Sequence, residues 1–411
     1  MTNMPVTKNT KLSGYIWEST LENVEYEFLK SYIYAVYCGS IDEDDMDITR
    51  CLAHSSLNHR PQPVSALDSG MKKFPIIADS VLEGTAAWKG GFYEVTISKE
   101  SHRDGVRVFT AYVLGLSDNA NQPRSLFEFL KRRSMACSYY NRKTLTVRGK
   151  DFPDSNLIVK QTPIAGRNIE DIFISENKQQ AIQLFVQSIK QYAEVRKPMR
   201  YILSGKPGTG KTEMIRAIIK ECTGLATYFI VEGTTPIRSV FELAANFSPS
   251  VICMDDFDLL SGDRATGHCS QYLDDLLGLL DGFRSSPIFV LATTNEKSWI
   301  DRASSRPGRF DNIIDMEMLD GALYGKLIEQ RLAENNLIES FTQEVLEELV
   351  RIKASGAFVV NLLKNIGMKK KLLKTTIDHE TIIDAITELN KGFYKRPENG
   401  DNSLGFTANS N

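Results

Sequence analysis

The sequence predicts an α/β protein in three parts: a parallel sheet covered by helices over residues 168–318, an all-helical segment after it, and a separate small α/β domain before it. Three observations predict this. Apolar, β-branched runs at Arg200–Ser204, Thr227–Val231, Val251–Met254 and Ile288–Ala292 alternate with helical stretches, and such alternation builds a parallel sheet buried on both faces. After Met318 the strand patterns stop and only helical periodicity remains. Upstream, FYEVTIS (Phe92–Ser98) and VRVFTAYVLG (Val106–Gly115) alternate like half-buried strands around a polar turn at Ser101–Gly105.

Taken in order, the first 80 residues resist reading. Tyr26–Tyr37 fits either a helix or a buried strand pair, and Asp42–Asp47 is an acidic loop. Ser125 opens a helical segment, SLFEFLKRRSMACSYY, and Leu145–Gly149 has the pattern of a strand closing the small domain of residues 91–150. Pro153–Gly166 carries two prolines and is expected to be a linker. The N-terminal domain is therefore placed at 1–160 and the sheet domain at 168–318, where Asn168–Lys197 is mostly helical. Leu323–Asn335, Thr342–Lys353, Phe358–Lys374 and His379–Lys391 are expected as four helices of a subdomain at 319–392. The polar, Asn- and Gly-rich tail at 393–411 is expected to be disordered.

At 411 residues the chain is long enough for two or three domains, and 42% hydrophobic with 25% charged residues describes a chain able to bury sizeable cores. A net charge of −3 gives no global argument for nucleic acid or an anionic membrane surface. Six cysteines form no CxxC pair, and the lone adjacency His268-Cys269 lacks a second pair, so no disulfide framework or zinc site is expected. No run of 18 apolar residues predicts a membrane span and the start lacks an apolar leader core, so a cytoplasmic location is the expectation.

Chemistry concentrates in four segments. GKPGTGKT, comprising Gly205, Lys206, Pro207, Gly208, Thr209, Gly210, Lys211 and Thr212, fits G-x-x-x-x-G-K-[ST] between an expected strand and an expected helix, with Glu213 in the first helical turn. The glycines let backbone amides face phosphates at the helix start, Lys211 reaches the terminal phosphates, and Thr212 offers a hydroxyl to Mg²⁺. The ligand expected is ATP with Mg²⁺. In VICMDDFD a buried strand ends in Asp255, placed to anchor the metal, and Asp256, placed to polarise an attacking water. Asn295, ending LATTN, is expected to hold that water from the other side. SRPGRFD follows with Arg306 and Arg309, guanidinium groups suited to a neighbouring subunit's terminal phosphate.

This ordered series resembles the AAA family of AAA+ ATPases over residues 168–390, with Asn295–Asp311 as its second region of homology. The resemblance implies a P-loop NTPase fold with a helical lid, ATP hydrolysis, and a homo-oligomeric ring, most often a hexamer, with active sites between subunits. It also places Ile169–Ser175 beside the adenine base and Ser355-Gly356-Ala357 near the adenosine, although Phe358 stands where the family has an acidic residue. Most relatives carry Glu at the position of Asp256. Threading members carry an aromatic-hydrophobic-Gly loop after the second strand, yet no aromatic lies between Gly233 and Phe241 here. That short segment, the Asp at 256 and the LLxxLDG run (Leu276–Gly282) look more like the branch containing the mitochondrial Rieske-protein translocase.

Three functions fit these residues. The first is a protein-remodelling or translocating chaperone whose N-terminal domain recruits a protein client. A nucleic-acid-linked motor or loader is the second, drawing on Lys131, Arg132, Arg133, Arg142, Lys143, Arg148 and Lys150 with Tyr139 and Tyr140 interleaved. The third is a slow nucleotide-switched scaffold, suggested by the shorter Asp256.

Overall fold

The computed structural model describes residues 15–21, 23–37, 46–55, 65–66, 75–76, 80–101, 107–115, 121–149, 157–233, 235–258, 276–283, 286–295, 309–317, 324–330, 342–374 and 377–393. These divide into two compact units. One comprises residues up to Ile169 with Gln180–Ser204 and Thr212–Ile314, and the other Glu170–Gln179, Gly205–Lys211 and the chain from Asp315.

The first unit holds two large sheets and a two-stranded one. Strands β1 (Tyr15–Leu21), β2 (Met46–Ser55), β5 (Ser80–Trp88), β6 (Gly91–Ser101) and β7 (Arg107–Gly115) form an antiparallel sheet in the order β1-β7-β6-β5-β2. Short β3 (Ser65–Ala66) and β4 (Pro75–Ile76) pair with each other. Alternation along β6 sends Tyr93, Val95 and Ile97 inward to a core with α1 (Asn23–Tyr37) and α2 (Asn121–Ala136). On α1, Tyr26, Leu29 and Ile33 recur at helical spacing on that buried face, which decides Tyr26–Tyr37 as helix.

The second sheet runs β14-β10-β13-β12-β11-β8-β9. Strands β8 (Thr144–Gly149), β11 (Thr227–Glu232), β12 (Ser250–Met254), β13 (Ile288–Thr294) and β10 (Arg200–Ser204) run parallel to one another in that order, and β9 (Leu157–Gln161) is antiparallel to β8. β14 is Asn312–Asp315. Every residue of β10, β12 and β13 is buried, as a sheet covered on both faces demands. Helices α3 (Glu176–Lys190), α4 (Tyr192–Val195), α5 (Lys211–Glu221), α6 (Ile237–Ala244) and α7 (residues 276–282) accompany it.

Two expectations are corrected here. The strand at 144–149 does not close the small domain; it joins the seven-stranded sheet, pairing Thr144–Arg148 with Tyr228–Glu232. Residues 157–161, expected within a linker, form the next strand. The reason is burial: Leu145, Val147 and Leu157 sink into the core that also takes Phe229, Val231 and Phe241, with Phe28 of α1 and Tyr140 packed on it. Phe28 and Tyr140 meet edge to face at 5.2 Å. Tyr140 is thus committed to packing, which removes one aromatic from the basic cluster.

In the second unit, α8 (residues 324–330), α9 (Gln343–Arg351), α10 (Gly356–Leu373) and α11 (His379–Phe393) pack around Leu327, Leu349, Phe358, Leu362, Ile366 and Ile382. Phe358 is therefore a core residue. Among the described residues no helix is long and apolar enough to cross a membrane. Arg306, His268, Cys269 and the tail expected to be disordered lie outside the described residues.

Candidate nucleotide site

The phosphate-loop residues follow the last residue of β10 and end where α5 begins, at Lys211. Gly205, Gly208 and Gly210 all have positive φ, at 150°, 82° and 94°. Two of them also have no room for a side chain. A Cβ at Gly205 would lie 2.3 Å from the Met316 carbonyl oxygen, and one at Gly208 would lie 2.6 Å from Ser355 Oγ. The Lys211 ammonium is buried and donates to the carbonyls of Gly205 at 2.7 Å and Lys206 at 3.0 Å. Thr209 Oγ1 donates to Lys206 O at 2.9 Å, closing the loop on itself. Ser355 caps α10 by accepting from the Phe358 amide at 3.1 Å, and Ala357 N donates to Gly208 O at 3.3 Å. Pro207 completes the loop, and Glu213 is exposed and paired with Arg216 at 2.8 Å.

Ile172 lies beside this loop, its Cγ2 3.9 Å from the Cβ position of Gly210. The preceding residue, Asp171, accepts from Gln330 Nε2 at 2.8 Å. That bond orients the amide, because turning it over would set two acceptors against each other. Gln330 Oε1 is then buried with no hydrogen-bond partner among the described residues.

A second cluster lies at the carboxyl ends of β12 and β13, where ligands bind in open α/β sheets. Thr212 Oγ1 donates to Asp255 Oδ2 at 2.8 Å. Thr293 Oγ1 donates to Asp255 Oδ1 at 2.7 Å and accepts from the Asp256 amide at 2.7 Å. Asn295 Nδ2 donates to Asp256 Oδ1 at 2.9 Å, and its own amide donates to Asp258 Oδ1 at 3.3 Å. Asp256 adopts φ 45°, a left-handed backbone that a non-glycine residue holds only when its surroundings impose it. The expected grouping of Thr212, Asp255, Asp256 and Asn295 is present. Thr293 and Asp258 were missed, and nothing local marks them: a threonine inside a strand and a fourth residue after a strand are ordinary.

Arg309 lies elsewhere. It is 8% exposed and donates to Asp281 Oδ2 through Nε at 3.3 Å and Nη2 at 3.2 Å. Two residues on, Asp311 exchanges bonds with Arg200 at the start of β10: Arg200 N donates to its Oδ2 and Asp311 N donates to Arg200 O, both at 2.8 Å. This turn therefore sits at the amino end of the strands, whereas Asp255 and Asn295 sit at the carboxyl end. A five-residue strand separates the two edges by roughly 15 Å.

Each of these groups of residues, taken by itself, fits a part of a magnesium nucleotide. Thr212 and Asp255 offer a hydroxyl and a carboxylate, the hard oxygen donors that Mg²⁺ takes in ones and twos while phosphate and water complete its shell. The glycine cradle and the folded-back Lys211 suit the phosphates, and the orphaned Gln330 oxygen suits an amine donor such as that of adenine.

The model of the ATPase family associated with various cellular activities, AAA, matches residues 201–318. The chain carries an AAA ATPase domain. The ATP-dependent zinc metalloprotease FtsH of Ureaplasma parvum is 30% identical over 230 residues, 51% of this chain and 32% of that protein. Chloroplastic FTSH 2 of Arabidopsis thaliana, also named an ATP-dependent zinc metalloprotease, is 26% identical over 266 residues, 59% of this chain and 38% of that protein. The proteasome-activating nucleotidase of Methanocaldococcus jannaschii is 28% identical over 294 residues, 64% of this chain and 67% of that protein. The AAA-bearing chain thus spans about a third of the metalloproteases' length and up to 67% of the nucleotidase's.

Proposed function

We propose that this chain hydrolyses ATP as an oligomeric, protein-remodelling motor. The observation that carries the reading is the carboxylate cluster at the carboxyl edge of a parallel sheet: Thr212, the residue that directly follows Lys211 of the phosphate loop, on Asp255, and Asn295 on Asp256. Lys211 and the loop amides bind the phosphates, while Thr212 and Asp255 hold Mg²⁺, which supplies charge neutralisation when bound. Asp256 takes a proton from the attacking water, and Asn295 orients that water together with the Asp256 carboxylate. The base lies by Asp171 and Gln330, whose buried oxygen accepts from the adenine amine.

Arg309 belongs to a turn at the opposite edge of the sheet, and Arg306 lies three residues before it in the chain, so a terminal phosphate that this pair stabilises is that of a neighbouring subunit. This supports a ring of identical chains, a hexamer by resemblance to the family. Because Arg309 is already paired with Asp281, the direct contact in trans falls to Arg306 and the anchoring of the turn to Arg309. The named activities of the relatives, metalloprotease and proteasome-activating nucleotidase, both act on protein, which favours a protein client over nucleic acid. The small domain formed by the five-stranded sheet with α1 and α2 is the surface for that client.

The test is the ATPase rate per subunit against protein concentration, with light scattering for mass and Lys211→Ala as control. A rate that rises as large particles form is expected. Tight nucleotide binding with flat, negligible turnover would replace the motor by a nucleotide-switched scaffold, the reading that the short, left-handed Asp256 otherwise favours.

A further inference from the structure

We infer that Thr293 is a positioning residue for hydrolysis, its hydroxyl holding the Asp255–Asp256 pair in register with Asn295. The inference rests on the ATPase reading above and assigns a role to a residue outside the metal and water contacts already named.

Thr293 is fully buried near the carboxyl end of β13, and three of its bonds go to successive residues of the turn after β12. Its hydroxyl proton goes to Asp255 Oδ1 at 2.7 Å, and the same oxygen accepts the Asp256 amide at 2.7 Å. Its carbonyl accepts the Phe257 amide at 2.9 Å. A threonine hydroxyl has one proton and can accept as well, so this donor-acceptor pairing uses it in both directions at once. Asp255 is consequently gripped on both oxygens, Oδ2 by Thr212 and Oδ1 by Thr293.

The arrangement matters because Asp256 is one methylene shorter than the glutamate expected there. A short carboxylate reaches less far, so its direction depends more on the backbone that carries it. That backbone is in the left-handed region at φ 45°, a conformation that costs energy and persists only under constraint. The bond from its amide to Thr293 Oγ1 is such a constraint, and the bond from Asn295 to Oδ1 fixes the far end. Without the hydroxyl, the Asp256 amide and Asp255 Oδ1 each lose a partner that no apolar group replaces. The turn then relaxes toward ordinary φ and swings the carboxylate away from Asn295.

The test compares Thr293→Val, which keeps the shape and removes the hydroxyl, with Thr293→Ser, which keeps the hydroxyl. Valine is expected to lower kcat by about 10- to 100-fold, with KM for ATP changed by less than about threefold, and serine to restore kcat to within about threefold of wild type. A second readout needs no turnover: affinity for a fluorescent ADP analogue with and without Mg²⁺. The gain in affinity that Mg²⁺ brings should shrink several-fold in the valine variant and persist in the serine one, because Asp255 loses one of its two tethers. Equal kcat in valine and wild type, or failure of serine to restore it, would overturn the assignment. A loss of melting temperature shared by both variants with unchanged kinetics would make Thr293 a packing residue and also overturn it. If wild type binds no nucleotide in a Lys211-dependent manner, the ATPase reading fails first, which is a distinguishable result.

Discussion

Arg309 and Asp281 form an ion pair at 3.2 Å in which the guanidinium is almost wholly buried. Asp281 belongs to α7, and the carbonyls around the end of α7 accept from Arg200, Leu280 O at 2.6 Å from Nη1 and Phe283 O at 2.8 Å from Nη2. Arg200 in turn exchanges two bonds with Asp311. The chain of contacts closes on itself: Arg309 to Asp281, α7 to Arg200, Arg200 to Asp311, and back along two peptide links to Arg309. The turn expected to reach a neighbouring subunit is therefore anchored at its base.

This circuit predicts that Asp281→Asn and Arg309→Ala behave alike. Each should lower turnover about tenfold or more while nucleotide affinity stays near wild type, since neither residue lies at the carboxyl edge of its own sheet. Parallel measurements of kcat and of ADP affinity check this. Full activity in Asp281→Asn beside an inactive Arg309→Ala would mean that the pair has no part in catalysis and that Arg309 works as a free cation.

Arg200 carries a stability prediction. Its guanidinium is buried and satisfies two backbone carbonyls, contacts charged on one side and hence stronger than neutral ones. Arg200→Met should destabilise the folded state by about 3 kcal/mol, and Arg200→Lys by somewhat less, because one ammonium cannot reproduce the fork. The urea midpoint of each variant measures it.

How much of this was legible follows from the range of each interaction. The grouping of Thr212 with Asp255 and of Asn295 with Asp256 was readable because the chemistry expected of them calls for fixed residue types at fixed local spacing, next to strands that are apolar throughout. The membership of 144–149 was not. Its alternation says strand, but its partner is β11, more than eighty residues on, and nothing local distinguishes that partner from β7. Prolines around 157–161 pointed to a linker, although Leu157 and Val159 had apolar neighbours waiting in the core. Thr293, Arg200 and Asp281 were invisible for a different reason: much of what they bind is backbone or a carboxylate far away in sequence, which leaves no motif.

Asn295 and Asp256 are the direct test of the water-activating arrangement. Asn295→Ala should reduce kcat by about 100-fold with ADP affinity retained, and Asp256→Asn should do at least as much, since it removes the base itself. Single-turnover kinetics separate the chemical step from product release. Unchanged single-turnover rates in Asn295→Ala would remove it from the chemical step.

Gln330 predicts the choice of base. Its buried oxygen suits the amine of adenine and repels the corresponding carbonyl of guanine. Wild type should prefer ATP to GTP, and Gln330→Met should reduce that preference by about tenfold, chiefly through weaker ATP binding. Purine riboside triphosphate, which lacks the amine, serves as the control ligand: its affinity should barely differ between Gln330→Met and wild type. Equal losses for ATP and this analogue would show that the amide supports the fold rather than reads the base.

The last prediction concerns alkaline pH. Burial pushes the Cys222 thiol up from 9.0 to about 11, with nearby Lys190 acting the other way and Glu221 adding to the rise. Cys253, wholly enclosed within β12, is pushed up as well, again by burial first and then by the neighbouring Asp255. A thiol whose value is raised by folding holds its proton more tightly in the native chain than in the unfolded one. Its stabilisation is thus complete below pH 9 and declines as pH rises through the interval from 9 to about 11, because the unfolded state releases the proton first. Unfolding free energies at pH 8 and pH 10.5 should therefore differ more in wild type than in Cys222→Ala, where one such proton is absent. The same burial should leave Cys222 and Cys253 unmodified by iodoacetamide at pH 8 in the native protein, with both labelled once urea is added. Rapid native labelling of Cys222 would mean that α5 opens far more readily than its buried face, Met214, Ala217 and Ile218, implies.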